Sequence, residues 1–133
     1  MILIVDSGST KTDWIAINNK GEILFQTQTL GLNPQVLTDY IIEERIINNF
    51  ELYQNRKSIT KLFFYGAGCG TEPPRIMIKG VFLNIFKSAE VLVKEDTFAA
   101  IYATADINKK SIVCILGTGS NCSYFDGENV IQK

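Results

Sequence analysis

Hydrophobic residues along the chain follow two rhythms. Four short runs, Ile2 to Val5, Leu62 to Tyr65, Val91 to Val93 and Ile112 to Leu116, are rich in β-branched and aromatic residues. They are too short for helices and apolar on both faces, so they are predicted as strands buried inside a covered parallel sheet. Between the first two runs, Trp14 to Ile17 and the alternating segment Glu22 to Thr29 flank Asn18-Asn19-Lys20-Gly21. Alternation around an Asn/Gly turn predicts a β-hairpin, so the chain should open as a three-stranded antiparallel meander.

Helical spacing governs three other stretches. Asn33-Pro34 is an apt helix start, and Leu37, Tyr40, Ile41, Ile47 and Phe50 continue an amphipathic pattern to about Tyr53. A second helix is predicted from Pro73-Pro74 to Phe86, with Ile78, Phe82, Ile85 and Phe86 on one face. A third, alanine-rich and short, is predicted from Thr97 to about Ala105. Cys122 to Phe125, Asp126-Gly127 and Glu128 to Gln132 read as a closing hairpin. The predicted order is therefore β-β-β-α-β-α-β-α-β, an α/β fold in which a three-stranded antiparallel meander is followed by helix-strand units. Such a mixed sheet is the arrangement of a ribonuclease H-like domain. A dinucleotide-binding fold would carry its glycine fingerprint between the first strand and a helix, whereas here the first loop opens a strand.

Composition narrows the chemistry. At 133 residues and 46% hydrophobic content the chain can bury one core but not two ordinary domains. Its 13 basic and 14 acidic side chains are scattered, which leaves no electrostatic footprint for nucleic acid or an anionic membrane. A small-molecule partner is the expectation. No apolar run approaches the ~18–20 residues that span a bilayer. The start, Met1-Ile2-Leu3-Ile4-Val5-Asp6, lacks a basic signal region, so a cytoplasmic location is expected. Cys69, Cys114 and Cys122 lack metal-ligand spacing and read as buried small apolar residues. Histidine is absent, so acid-base work falls to carboxylates.

Each of the four apolar runs leads into small or polar residues, and in open α/β sheets ligands gather at the carboxyl ends of the strands. Asp6-Ser7-Gly8-Ser9-Thr10-Lys11-Thr12 turns sharply between two strands, with backbone N–H groups able to face a phosphate chain. Asp6 either holds a hydrated Mg²⁺ beside that phosphate or bonds its own turn. Gly117-Thr118-Gly119-Ser120-Asn121 repeats the device after the last buried strand, and glycine there permits close approach of backbone to phosphate. Two such turns form a clamp, although each alone is also an ordinary glycine-rich connection. Asp96, after the third run, is placed either as a helix cap or as a general base. Asn33, just before a proline, is a cap or a ligand contact. Glu95 reads as a solvated neighbour, and Gly66-Ala67-Gly68-Cys69-Gly70 as a pocket wall.

The two turns resemble the first and second phosphate motifs of the actin, hexokinase and heat-shock ATPase superfamily. Their wording is similar to that of N-acetylglucosamine kinases within the acyl-CoA reductase/dehydratase activator ATPase family. Ile115-Leu116-Gly117-Thr118-Gly119-Ser120-Asn121-Cys122 is the most specific segment, while Ser7 and Ser9 stand where the family often has glycine. The resemblance runs through most of the chain and implies an actin-like ATPase first lobe over residues 1–121, with 122–133 beginning a second lobe. It implies ATP and Mg²⁺ as cofactors, with Asp6, Gly8, Ser9, Thr10, Lys11, Gly117, Thr118 and Gly119 around the nucleotide and Asp6 holding the metal through water. Asn33, Asp96, Ser120 and Asn121 would touch an amino sugar, and Asp96 would be the base. The implied activity is phosphorylation of the 6-hydroxyl of N-acetylglucosamine or a related sugar.

Two alternatives accompany that reading. One is an ATPase activator with a shared iron-sulfur cluster, which needs cysteine ligands. The other is an inactive sugar-binding fragment. The resemblance also implies that an isolated first lobe exposes an apolar face, with homodimer formation as a consequence, and that these residues alone turn over negligibly.

Overall fold

A computed structural model of the chain describes residues 1–96 throughout, together with the backbone of residues 111–116, 120–125 and 130–132. The meander is present: β1 (Ile2–Ser7) pairs antiparallel with β2 (Lys11–Ile17), and β2 with β3 (Ile23–Leu30). The second hairpin is set by Asn18, whose Oδ1 accepts from the N–H groups of Lys20 (2.9 Å) and Glu22 (3.0 Å). Gly21 follows at φ 81°, a conformation that costs glycine nothing and other residues more. On the far side of β1, β4 (Lys61–Gly66) and β5 (Glu90–Glu95) add in parallel, giving the order β3-β2-β1-β4-β5. The expected mixed α/β sheet is thus realised.

The first predicted helix begins later than expected and is broken in two. Asn33 Oδ1 accepts from Gln35 N (2.9 Å), and the Asn33 carbonyl accepts from Val36 N and Leu37 N. Asn33 therefore closes its own turn rather than starting the helix. Thr38, whose Oγ1 accepts from Ile41 N, caps α1 (Asp39–Ile47), and Asn49, whose Oδ1 accepts from Leu52 N, caps α2 (Phe50–Gln54). Short side-chain oxygens have competed with the helix for backbone donors at both places. α3 (Glu72–Ile85) matches its predicted span, with prolines in the first turn where N–H groups have no helical partner.

Helices pack on one face of the sheet: α1 lies against α3 and β3, and α3 against β5. Strand alternation delivers Leu3, Val5, Trp14, Ala16, Leu62 and Phe64 to that face. There they meet Ile42, Ile46, Ile78, Phe82 and Phe86. The Phe82 ring sits 6.3 Å from Trp14, 4.9 Å from Phe64 and 6.5 Å from Phe86, centroid to centroid. Each such side chain contributes roughly 1.5–3 kcal/mol by burial.

On the opposite face Ile4 is 37% and Leu92 41% exposed, beside half-buried Ile2 and Phe63. A separate antiparallel sheet follows, β6 (Ser111–Leu116), β7 (Ser120–Phe125) and β8 (Val130–Gln132), in that order. Its last two strands are those of the predicted closing hairpin. The predicted helix from Thr97 to Ala105 lies outside the described residues, as do the turns at 117–119 and 126–129.

Candidate active site at the strand ends

Because β1, β4 and β5 are parallel, their carboxyl ends share one edge, with Ser7, Gly66 and Glu95 in register. Backbone bonds continue the row past the strands: Ala67 N donates to Ser7 O (2.8 Å), and Asp96 N to Gly66 O (3.1 Å). Asp6, the turn from Gly66 to Gly70, and Asp96 are consequently neighbours. The carboxyl pKa of Asp6 is raised, first by desolvation and then by the negative charges of Asp13 and Asp96, with Lys11 opposing. Asp6 keeps access to solvent, so its desolvation comes from the surrounding protein and not from complete enclosure.

Asp13 was not singled out from sequence. It faces Asp6 across the β1–β2 pair, accepts from Gln28 Nε2 (2.6 Å) and lies 3.7 Å from Lys11 Nζ. The signal available was the alternation itself, since Lys11 and Asp13 occupy one face of β2. Among the described residues no group of three or more Cys, Asp or Glu side chains forms a metal-binding cluster.

The first loop is held from below by a buried polar network. Ser7 Oγ lies 2.8 Å from Thr12 Oγ1 and accepts from Leu32 N (3.1 Å), while Thr12 Oγ1 donates to Leu30 O (3.1 Å). Ser7 and Thr12 together thus tie β1 and β2 to the end of β3 and the residues after it, which explains a serine at this position. Gly8 N donates to Lys11 O (2.9 Å), whereas the N–H groups of Ser9 and Thr10 at the exposed tip make no hydrogen bond among the described residues. A Cβ on Gly8 would meet only Lys11 O at 3.7 Å, so local packing does not demand glycine there.

Gly31 is different. A Cβ there would approach Ser9 O to 2.5 Å and Gly8 O to 2.9 Å. Its N–H donates to Thr10 O (3.0 Å), and Arg45 Nη1 donates to its carbonyl (2.5 Å). The end of β3 therefore braces the first loop by direct backbone contact. A glycine two residues before Asn33 was the only trace of this in the sequence.

Asn33 belongs to the same neighbourhood. Its carboxamide adjoins Gly68, where φ is 81° and a Cβ would overlap Asn33 Oδ1. Cys69 is buried, and its thiol pKa is pushed up to about 12 by burial, with Arg75 opposing and Asp96 and Glu95 adding to the rise. Arg75 Nη1 donates to Cys69 O (3.3 Å). Glu95, expected in solvent, is 7% exposed. Its register with buried Gly66 turns it to the helix-covered face, with Oε2 3.1 Å from the position a Gly70 Cβ would take.

Of the second loop, Gly117, Thr118 and Gly119 lie outside the described residues. Ser120 and Asn121 begin β7, opposite Leu116 and Ile115.

Over 99% of its length the chain matches the crystal structure of a candidate N-acetylglucosamine kinase from Porphyromonas gingivalis, with TM-score 0.84 and 36% identity. In sequence and fold the chain resembles that candidate kinase. Its mixed sheet, an antiparallel meander extended by parallel strands, is ribonuclease H-like. This kinase-like chain spans about half of the Porphyromonas protein, 47% of its length. Two structures of Ppx/GppA proteins from Aquifex aeolicus also align, at 16% and 15% identity and TM-scores of 0.46 and 0.41, over 98% and 99% of the chain and 51% and 50% of theirs. No protein-family model matches the kinase-like chain, and no curated protein matches it. Among its described residues no helix is long and apolar enough to cross a membrane.

Proposed function

We propose that the chain is the amino-terminal half of an ATP-dependent kinase that phosphorylates the 6-hydroxyl of N-acetylglucosamine or a related amino sugar. Residues 1–121 would form the first lobe and 122–133 the start of the second. The observation that carries this reading is the meeting of Asp6, Asn33 and Asp96 around one sheet edge, in a chain so similar to a candidate kinase of that sugar.

Asp96 is the proposed base. Phosphoryl transfer asks the protein mainly to position groups and neutralise charge, while one carboxylate accepts the proton of the attacking hydroxyl. Asn33 orients the sugar, joined by Ser120 and Asn121. The free N–H groups of Ser9 and Thr10 suit phosphate oxygens, and Gly8, which local packing does not require to be glycine, suits close approach of an anion. Lys11, Gly117, Thr118 and Gly119 complete the proposed nucleotide contacts.

A divalent cation fits beside Asp6. Asp6, Asp13 and Asp96 bring negative charge together with Lys11 as the opposing cation, and Asp6 would hold the metal through water. Mg²⁺ there would neutralise phosphate charge during transfer. An iron-sulfur activator role is not favoured, since Cys69 is buried with a thiol that resists ionisation and clusters are held by thiolates.

The test is ADP formation by the full-length protein with ATP, Mg²⁺ and N-acetylglucosamine, with phosphate located on the sugar by mass spectrometry. Sugar-dependent ADP release and a 6-phosphate support the reading. ATP hydrolysis indifferent to every amino sugar would end it.

A further inference from the structure

The turn from Gly66 to Gly70 connects the two sides of the proposed sugar site. Through Gly66 O it holds the backbone of Asp96, and through Gly68 it abuts the side chain of Asn33. Three bonds fix the turn itself: Ala67 N to Ser7 O, Cys69 N to Gly66 O (3.3 Å), and Arg75 Nη1 to Cys69 O. Gly68 is required twice over. Its φ of 81° disfavours any side chain, and the space that a side chain would fill is occupied by the Asn33 carboxamide.

The polarity of that carboxamide follows from its partners. The N–H of Gln35 can only donate, so the atom it meets at 2.9 Å is the Asn33 oxygen. Gly68 stands against the same oxygen. Among the described residues Nδ2 makes no hydrogen bond, which leaves it as the available group.

We propose that Gly68 is a positioning residue for substrate recognition: lacking a side chain, it lets the turn close onto Asn33 and hold the carboxamide with its oxygen engaged. Asn33 then meets the substrate as a hydrogen-bond donor, selecting a ligand with an acceptor oxygen, hydroxyl or amide carbonyl, at that point. The proposal rests on the kinase reading above.

The experiment has an arm that needs no ligand. In the full chain, the side-chain amide resonances of Asn33 are followed by ¹⁵N NMR with and without Gly68→Ala. Displaced resonances are expected, and unmoved ones overturn the positioning role. N-acetylglucosamine is then titrated into the unsubstituted chain, Gly68→Ala, Asn33→Ala, Asn33→Asp and the double variant Gly68→Ala/Asn33→Ala. Each single substitution is expected to weaken binding about tenfold, roughly the worth of one hydrogen bond, and the double variant to be no weaker than Asn33→Ala alone. Independent, multiplying losses overturn the coupling, and wild-type affinity in Asn33→Asp overturns the donor role. Should Gly68→Ala not fold, the two Asn33 variants still decide whether a donor is read. Absence of any sugar binding by the unsubstituted chain, with Asn33 still displaced by Gly68→Ala, removes the kinase reading and the recognition role while leaving the contact intact.

Discussion

Asp6 and Asp96 stand at the carboxyl ends of two strands separated only by β4, near enough for the charge of Asp96 to raise the pKa of Asp6. Desolvation is the larger cause and Asp13 the next, so the ionised form of Asp6 is disfavoured in the folded, ligand-free protein. A carboxyl whose pKa is raised on folding contributes stability below its unfolded value of 3.8, and that contribution is lost as pH rises through the folded value. Asp6→Asn is therefore expected to raise the Tm at neutral pH. The gain should shrink as pH falls through the folded pKa and vanish below about 3.8. Melting curves across that range check it, and a lower Tm at pH 7 would contradict it.

Asp96 carries a different expectation. In the full-length protein Asp96→Asn keeps the size of the side chain and removes the proton acceptor, so turnover should fall by ~10²–10⁴-fold, the usual worth of a general base. Sugar affinity should stay within a few-fold, roughly, because the side chain keeps hydrogen-bonding capacity. Steady-state kinetics with a parallel sugar titration separate the two quantities. Unchanged turnover removes Asp96 from the chemistry.

Strand pattern and turn chemistry made the five-stranded sheet legible, because Ile2 to Val5, Leu62 to Tyr65 and Val91 to Val93 have the composition of inner strands and Asn18 to Gly21 that of a hairpin turn. Asn33 was misplaced as a helix start for a physical reason. An Asn oxygen satisfies a backbone N–H equally well in a lone turn and at a helix N-terminus, and only Thr38 decides where the helix begins. Glu95 was misread because the strand continues two residues past its apolar run, which turns that carboxylate toward the helices. The bracing of the first loop by Gly31, and of Asn33 by Gly68, joins residues far apart in sequence. Such contacts leave no periodic trace.

Ser7 makes a separate claim on stability. Its hydroxyl is buried, shares a hydrogen bond with Thr12 and accepts from the N–H of Leu32. Ser7→Ala strands a buried backbone donor, and a loss of about 1–3 kcal/mol is expected. Denaturant unfolding measures it, with the midpoint moving and the slope unchanged. A variant as stable as the wild type would show that the network contributes nothing and that Ser7 merely replaces a glycine.

Cys69 sits under the same turn, and its thiol is pushed up to about 12, first by burial. The thiolate is the reactive species, so at pH 8 its folded-state population should be about 10⁻⁴, one power of ten for each pH unit below the pKa. In a chain carrying Cys114→Ser and Cys122→Ser, a disulfide reagent at pH 8 should label Cys69 only as fast as the protein opens. Denaturant should raise that rate steeply, and raising the pH from 7 to 9 should accelerate labelling only where opening is in rapid equilibrium with closing. Fast labelling of the native protein at pH 8 would mean that the turn beneath Gly68 opens readily, and a turn that opens readily could not hold Asn33 against it.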